Sequence, residues 1–158
     1  MNPTPGLVPL LVVRDASRAI DFYCRTLGAR QLAVYVNGVT QSVSHAELAL
    51  GDAVFAVTEE ARNWNSDAPP SLGGSPVVMQ LWVDDVDSVV AALCNAGADV
   101  IFALQEFCGE RMARLRDPFG HLWIVSQVLE RLSTEEKQRR RDELLAKLTK
   151  ASPRTGTE

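Results

Sequence analysis

Two stretches of the chain share one grammar at a nearly constant offset, and this internal repeat constrains the architecture more than any other feature. The first is LLVVRDASRAIDFYCRTLGA and the second is QLWVDDVDSVVAALCNAGAD. Aligning Val13 with Val83 brings Asp15 onto Asp85 and Cys24 onto Cys94, each 70 residues apart, while Gly28 falls on Gly97 and Gly51 on Gly120, each 69 apart. The chain therefore holds two copies of one unit.

Each copy opens with a short apolar and β-branched run, Leu10 to Val13 or Val77 to Val83, which reads as a strand. An aspartate then supplies a helix N-cap. Asp15 precedes Ala16, Ala19, Ile20, Tyr23 and Leu27, and Asp85 precedes Val86, Val89, Val90, Leu93 and Ala96, both sets at helical spacing. Gly28 and Gly97 stand where such helices end. Three further strands follow each helix: Gln31–Val36, Val43–Leu50 and Ala53–Thr58 in the first copy, Val100–Ala103, Arg111–Leu115 and Leu122–Val125 in the second. Asn37-Gly38, Gly51-Asp52 and Asp117-Pro118-Phe119-Gly120 provide the turns. Each copy is thus β-α-β-β-β, and the fold class is α+β.

The sequence divides into a first module over 7–60, a linker over 61–76 and a second module over 77–128, together one domain spanning 1–130. The linker, with NWNSDAPPSLGGSP, reads as a connection rather than an element. Ser133-Thr134-Glu135-Glu136 is a capping box that opens a helix over 131–150, ending near Thr149. Only Leu144, Leu145 and Leu148 give that helix an apolar stripe, so it is expected on the surface or across a dimer partner. Residues 151–158 are expected to be disordered.

Composition excludes several function classes. Residues 1–130 hold eight arginines, no lysine and fifteen acidic residues, a net charge near −7, whereas 131–158 sit near +3 with eight basic and five acidic residues. A body this acidic is a poor nucleic-acid surface. The absence of lysine before Lys137 removes Schiff-base chemistry from the body. The run KQRRRD could meet an anionic partner, although its acidic neighbours make a solvated helix face the simpler reading. Three cysteines without a C-x-x-C pair argue against a disulfide framework or zinc knuckle. No apolar run approaches the roughly 18 residues of a membrane span, and MNPTPG lacks a basic signal-peptide region, so a cytoplasmic protein is expected. No G-x-S-x-G, P-loop or G-x-G-x-x-G pattern occurs.

The paired modules, with DASRAIDFYCRTLGA in the first and DPFGHLW in the second, resemble the vicinal oxygen chelate superfamily of glyoxalases, bleomycin-resistance proteins and dioxygenases. The resemblance spans about residues 7 to 128 and is greatest to the glyoxalase-like, bleomycin-resistance-type branch. It implies two modules whose sheets curl into an incomplete barrel around a concave cleft, and a homodimer. In the enzymes it also implies a divalent metal held by His and carboxylate ligands from the first and last strands of each module. Those positions fall here at about Val8, Phe55 or Ala56, Val78 and Ile124, none with a lone pair to offer. The expectation is therefore no metal and no cofactor.

Strand parity selects the candidate ligand-binding residues. His45 and Glu47 share a face opposite Ala46, Leu48 and Leu50, which turns them to the cleft. Their alternative is a structural pair, His45 bonding to Glu47 or a neighbouring strand. Gln80 and Trp82 lie opposite Met79, Leu81 and Val83, and Ser126 has the parity of Leu122 and Ile124. Trp64, in the linker, either caps the cleft or packs on the surface, and at most one of Arg111 and Arg114 looks inward. Trp123 is assigned to the core and His121 to the entry of a strand. Cys24 and Cys94 read as packing residues reused by duplication, and Cys108 as the reactive thiol if there is one.

The reading that follows is a metal-independent protein that binds a small organic molecule, such as an antibiotic or related metabolite, as a homodimer without nucleic-acid or membrane partners. Its alternative is a lyase, isomerase or dioxygenase with a displaced metal on His45, Glu47 and Glu59, Glu106 or Glu110. A weaker third is an interaction module that docks through its C-terminal helix.

Overall fold

A computed structural model describes residues 6–151 of the chain. The first copy contains β1 (Leu10–Val13), α1 (Ala16–Leu27), β2 (Arg30–Val36), β3 (Val43–Leu50) and β4 (Ala53–Glu59). The linker, expected to lack elements, carries a 3-10 turn at Arg62–Trp64 and a short helix, α2 (Pro69–Leu72). The second copy follows with β5 (Val78–Trp82), α3 (Val86–Asn95), β6 (Asp99–Phe107), β7 (Glu110–Arg116) and β8 (Leu122–Val128). The C-terminal helix, α4, runs over Thr134–Ala151. The expected tail begins within this helix at Ala151, and the rest of it, 152–158, lies outside the described residues.

The repeat survives in the topology. The sheets run β1-β4-β3-β2 and β5-β8-β7-β6, each with its outer first strand parallel to the last and the others antiparallel. Both are curled and neither closes into a barrel. Both helices start on the expected caps: Asp15 Oδ1 accepts from Arg18 N and Asp85 Oδ1 from Ser88 N, each at 3.0 Å. Such a cap contributes about 1 kcal/mol to a helix.

The β6–β7 hairpin is longer than expected. Phe107 pairs with Glu110 around a two-residue turn, Cys108-Gly109, whose φ values are 50° and 83°. Two positive φ angles match the right-handed twist of the strands, and Cys-Gly achieves this without the Asn-Gly signal that marks such turns in a sequence. Gly120 is needed for a second reason besides its φ of 93°: a Cβ there would lie 2.9 Å from Pro69 Cβ. The second copy's turn therefore fits directly against α2.

One apolar core unites the copies. Tyr23 of α1 sits at its centre, edge-on to Phe55 of β4 at 5.5 Å and tilted against Trp123 of β8 at 5.7 Å. Its hydroxyl donates to Asp117 Oδ2 at 2.7 Å, and that carboxylate also accepts from Trp123 Nε1 and from the backbone N–H groups of Phe119 and His121. Burial first, and the adjacent Asp117 charge second, push the Tyr23 hydroxyl well above its usual pKa. His121 is buried as the strand enters, and its Nε2 donates to the Val12 carbonyl of β1 at 2.9 Å. Cys24 and Cys94 both pack against this core.

Charged side chains attach the helix α4 to the second copy. Lys137 Nζ lies 2.8 Å from Glu110 Oε1, Arg140 pairs with Glu130 at 2.8 Å, and the Arg141 guanidinium stands 5.4 Å from the centre of the Phe107 ring. These contacts seat the first half of the helix beside the β6–β7 hairpin.

Candidate functional site

Alternation along the strands separates a core face from an open, concave face in each sheet. In the second sheet Met79, Leu81, Ala113, Leu115, Trp123 and Val125 pack inward. The opposite parity then forms two cross-strand rows. Gln80 pairs with Ile124, Ile124 with Arg114 and Arg114 with Phe102; one step along, Trp82 pairs with Ser126 and Ser126 with Met112, which faces Gln105. Gln80, Trp82, Arg114 and Ser126 thus stand on one face of the second sheet. Trp82 is 49% exposed, and Phe102, not among the sequence candidates, is 56% exposed at the far end of the adjoining row.

Arg111 is the correction in this group. It lies on the helix-packed face, where Nε and Nη2 bind the two Asp87 oxygens at 2.8 and 2.7 Å. Asp87 stands in the first turn of α3, a contact invisible to strand parity. This paired fork holds the Asp87 carboxyl below its usual range and is not turned to the concave face.

Arg114 has the reverse character. Its Nε is buried without a hydrogen-bond partner, and so is Ser126 Oγ; they are the two such side-chain atoms among the described residues. Neither Arg114 nor Arg116, which shares its parity, makes an ion pair among the described residues, whereas Arg111 does. A 460 Å³ cavity adjoins this face at the ends of β5 and β8, lined by Trp82, Asp84, Gln127, Leu129 and Arg131.

The first sheet places His45 and Glu47 on its own concave face, opposite the buried Ala46 and Leu48. His45 Nε2 lies 3.7 Å from Glu47 Oε1, and Tyr35, its cross-strand neighbour, has its ring centre 6.1 Å away. Among the described residues no strand pairing joins this sheet to the second, so His45 and Glu47 lie on a different sheet from Gln80 and Trp82. Trp64 projects from the 3-10 turn and is 80% exposed. A separate 330 Å³ cavity lies at the junction of the copies, between β1, α2 and β5, with Leu10, Leu72, Met79 and His121 in its wall.

The sequence profile of the Glyoxalase/Bleomycin resistance protein/Dioxygenase superfamily matches residues 7–125. The chain belongs to this superfamily. It is 37% identical over 142 residues to the uncharacterized protein Mb0911c of Mycobacterium bovis, a match covering 87% of this chain and 93% of that one. Residues 1–125 alone cannot supply such coverage, so the likeness extends into the segment leading to α4. Among solved structures, TioX from Micromonospora sp. ML1 is 28% identical with a TM-score of 0.59, covering 78% of this chain and 100% of its own. The fosfomycin resistance protein FosX from Mesorhizobium loti shares the fold at 16% identity and a TM-score of 0.59, over 86% of this chain and 99% of its own.

The residues present do not fit the divalent metal of the superfamily's enzymes. Ala56 and Ile124 stand at the expected last-strand positions, Val8 lies two residues before β1, Val78 opens β5, and Phe55 is turned into the core. None carries a donor atom. Among the described residues no three His, Cys, Asp or Glu side chains come together. The extra ligands a displaced site would need are dispersed: Glu59 accepts from Ala16 N, Glu106 lies across from Arg111, and Glu110 is held by Lys137.

Proposed function

We propose that this chain is a metal-independent, small-molecule-binding protein of the bleomycin-resistance type, and that the concave face of its second sheet is the binding surface. The molecule it sequesters is an antibiotic or a related metabolite. The observation that carries this reading is the donor-free set Val8, Ala56, Val78 and Ile124, which leaves the fold its cleft without the cation that its enzymes use. A fold that also hosts a protein named for fosfomycin resistance is consistent with it. The surface itself, an aromatic flanked by a few convergent polar groups, is the usual composition of a ligand site.

The working form is a homodimer in the cytoplasm. The outer strand of the first sheet, β2, exposes Leu32, Val34, Tyr35 and Val36 in the single chain. A contiguous apolar edge of this kind marks a surface that another protein copy covers. Titrating the protein with glycopeptide, quinone and polyaromatic compounds while following tryptophan emission tests the reading. A saturable change that Trp82→Phe removes supports it; a flat response across the panel counts against it.

A further inference from the structure

The concave face of the second sheet contains donors that nothing among the described residues satisfies, and resting on the binding role just proposed, we infer that its ligand is an organic acid with a flat apolar body. Arg114 supplies the positive charge. Its guanidinium makes no ion pair or hydrogen bond among the described residues, and its Nε is already withdrawn from water. Leaving a buried charged donor unpaired is costly, and the natural remedy is an acceptor anion supplied from outside.

Ser126 points to the same ligand independently. It is fully buried, its Oγ lacks a partner, and its row is one step from that of Arg114 on the same face. Diagonal neighbours on paired strands sit roughly 7–8 Å apart at Cα, so one carboxylate-sized group can take donors from both side chains. Two acids share this parity: Glu110, at the far end of β7, is held by Lys137, and Asp99 lies across from Arg116 rather than from Arg114.

The two aromatics define the rest of the molecule. Trp82 flanks Ser126 directly, and Phe102 flanks Arg114 on the other side, so the donors lie between two exposed rings. A planar apolar body can stack on Trp82 while its acid group reaches Arg114, and the Gln80 amide stands beside that path on the Arg114 row. A cationic ligand would be repelled by Arg114, and a neutral acceptor would leave its charge uncompensated.

The test uses matched pairs on the intact protein: 2-naphthoate, indole-3-acetate and 9-anthracenecarboxylate, each beside its primary amide, titrated by calorimetry. At least one acid is expected to bind ~10-fold or more tightly than its amide, the discrimination of one charge-assisted pair. Arg114→Gln should abolish that preference while leaving amide affinity in place, and Arg114→Lys should restore part of it. Ser126→Ala should weaken the acid alone and leave the melting temperature unchanged or raised, which a purely structural hydroxyl would not do. Equal binding of acids and amides would overturn the organic-acid inference and leave the binding role standing. Undiminished acid binding by a folded Arg114→Gln would overturn it too. Failure of all six compounds at about 10 mM, enough to fill a millimolar site, would count against both.

Discussion

The Tyr23 hydroxyl donates to Asp117 Oδ2 across 2.7 Å, joining the helix of the first copy to the turn of the second through a buried carboxylate. Four donors converge on Asp117, and none has water as an alternative. Asp117→Ala would strand all four and is expected to cost about 3 kcal/mol or more, whereas Tyr23→Phe removes one donor and should cost about 1–2 kcal/mol. Asp117→Asn should fall between, because its amide presents a donor where an acceptor is required. Urea denaturation of the three variants gives the order directly; a neutral Asp117→Ala would contradict it.

Arg111 and Arg114 of β7 should behave oppositely although they are three residues apart. Arg111, paired with a half-exposed Asp87, is expected to lose no more than about 1 kcal/mol of stability as Arg111→Gln, the usual worth of a surface pair. Ligand affinity should not change. A loss of affinity in Arg111→Gln equal to that of Arg114→Gln would place both on the binding face and contradict the strand parity.

The helicity of α4 is expected to fall in acid. Hydrogen bonds from Arg139 and then Arg140 push the Glu136 carboxyl from 4.5 down to about 2. The folded value is below the unfolded one, so this charge stabilises the helix above pH 4.5 and the contribution is lost as pH falls toward 2. Far-UV circular dichroism should hold steady from neutral pH down to that window and decline within it, sooner at high salt. Helicity unchanged to about pH 2 would contradict this, since the charge that holds the helix would then have gone without effect.

Much of this was legible in the sequence because strands encode their faces with a period of two. Leu48 and Trp123 fall in the core and Gln80 and Trp82 on the opposite face by parity alone. The duplicated Asp caps marked both helices for the same local reason. Long-range pairing left no such mark. Arg111 finds Asp87 on a helix 24 residues earlier, so nothing near Arg111 distinguished it from Arg114. Phe102 was missed as a site residue because β6 is an edge strand with shifted register, where alternation is broken. A cross-strand partner assignment for Arg114 would have found it. The linker's helical turn α2 hid behind two prolines, which start a helix as readily as they break one.

The central claim is that the cleft works without a metal, and metal content tests it most directly. Protein incubated with Zn, Ni, Mn or Fe(II), dialysed, and analysed by elemental mass spectrometry should retain far less than one ion per chain. One tightly held ion per chain, lost in His45→Ala, would contradict the claim and assign the chain to the metal-dependent enzymes of its superfamily.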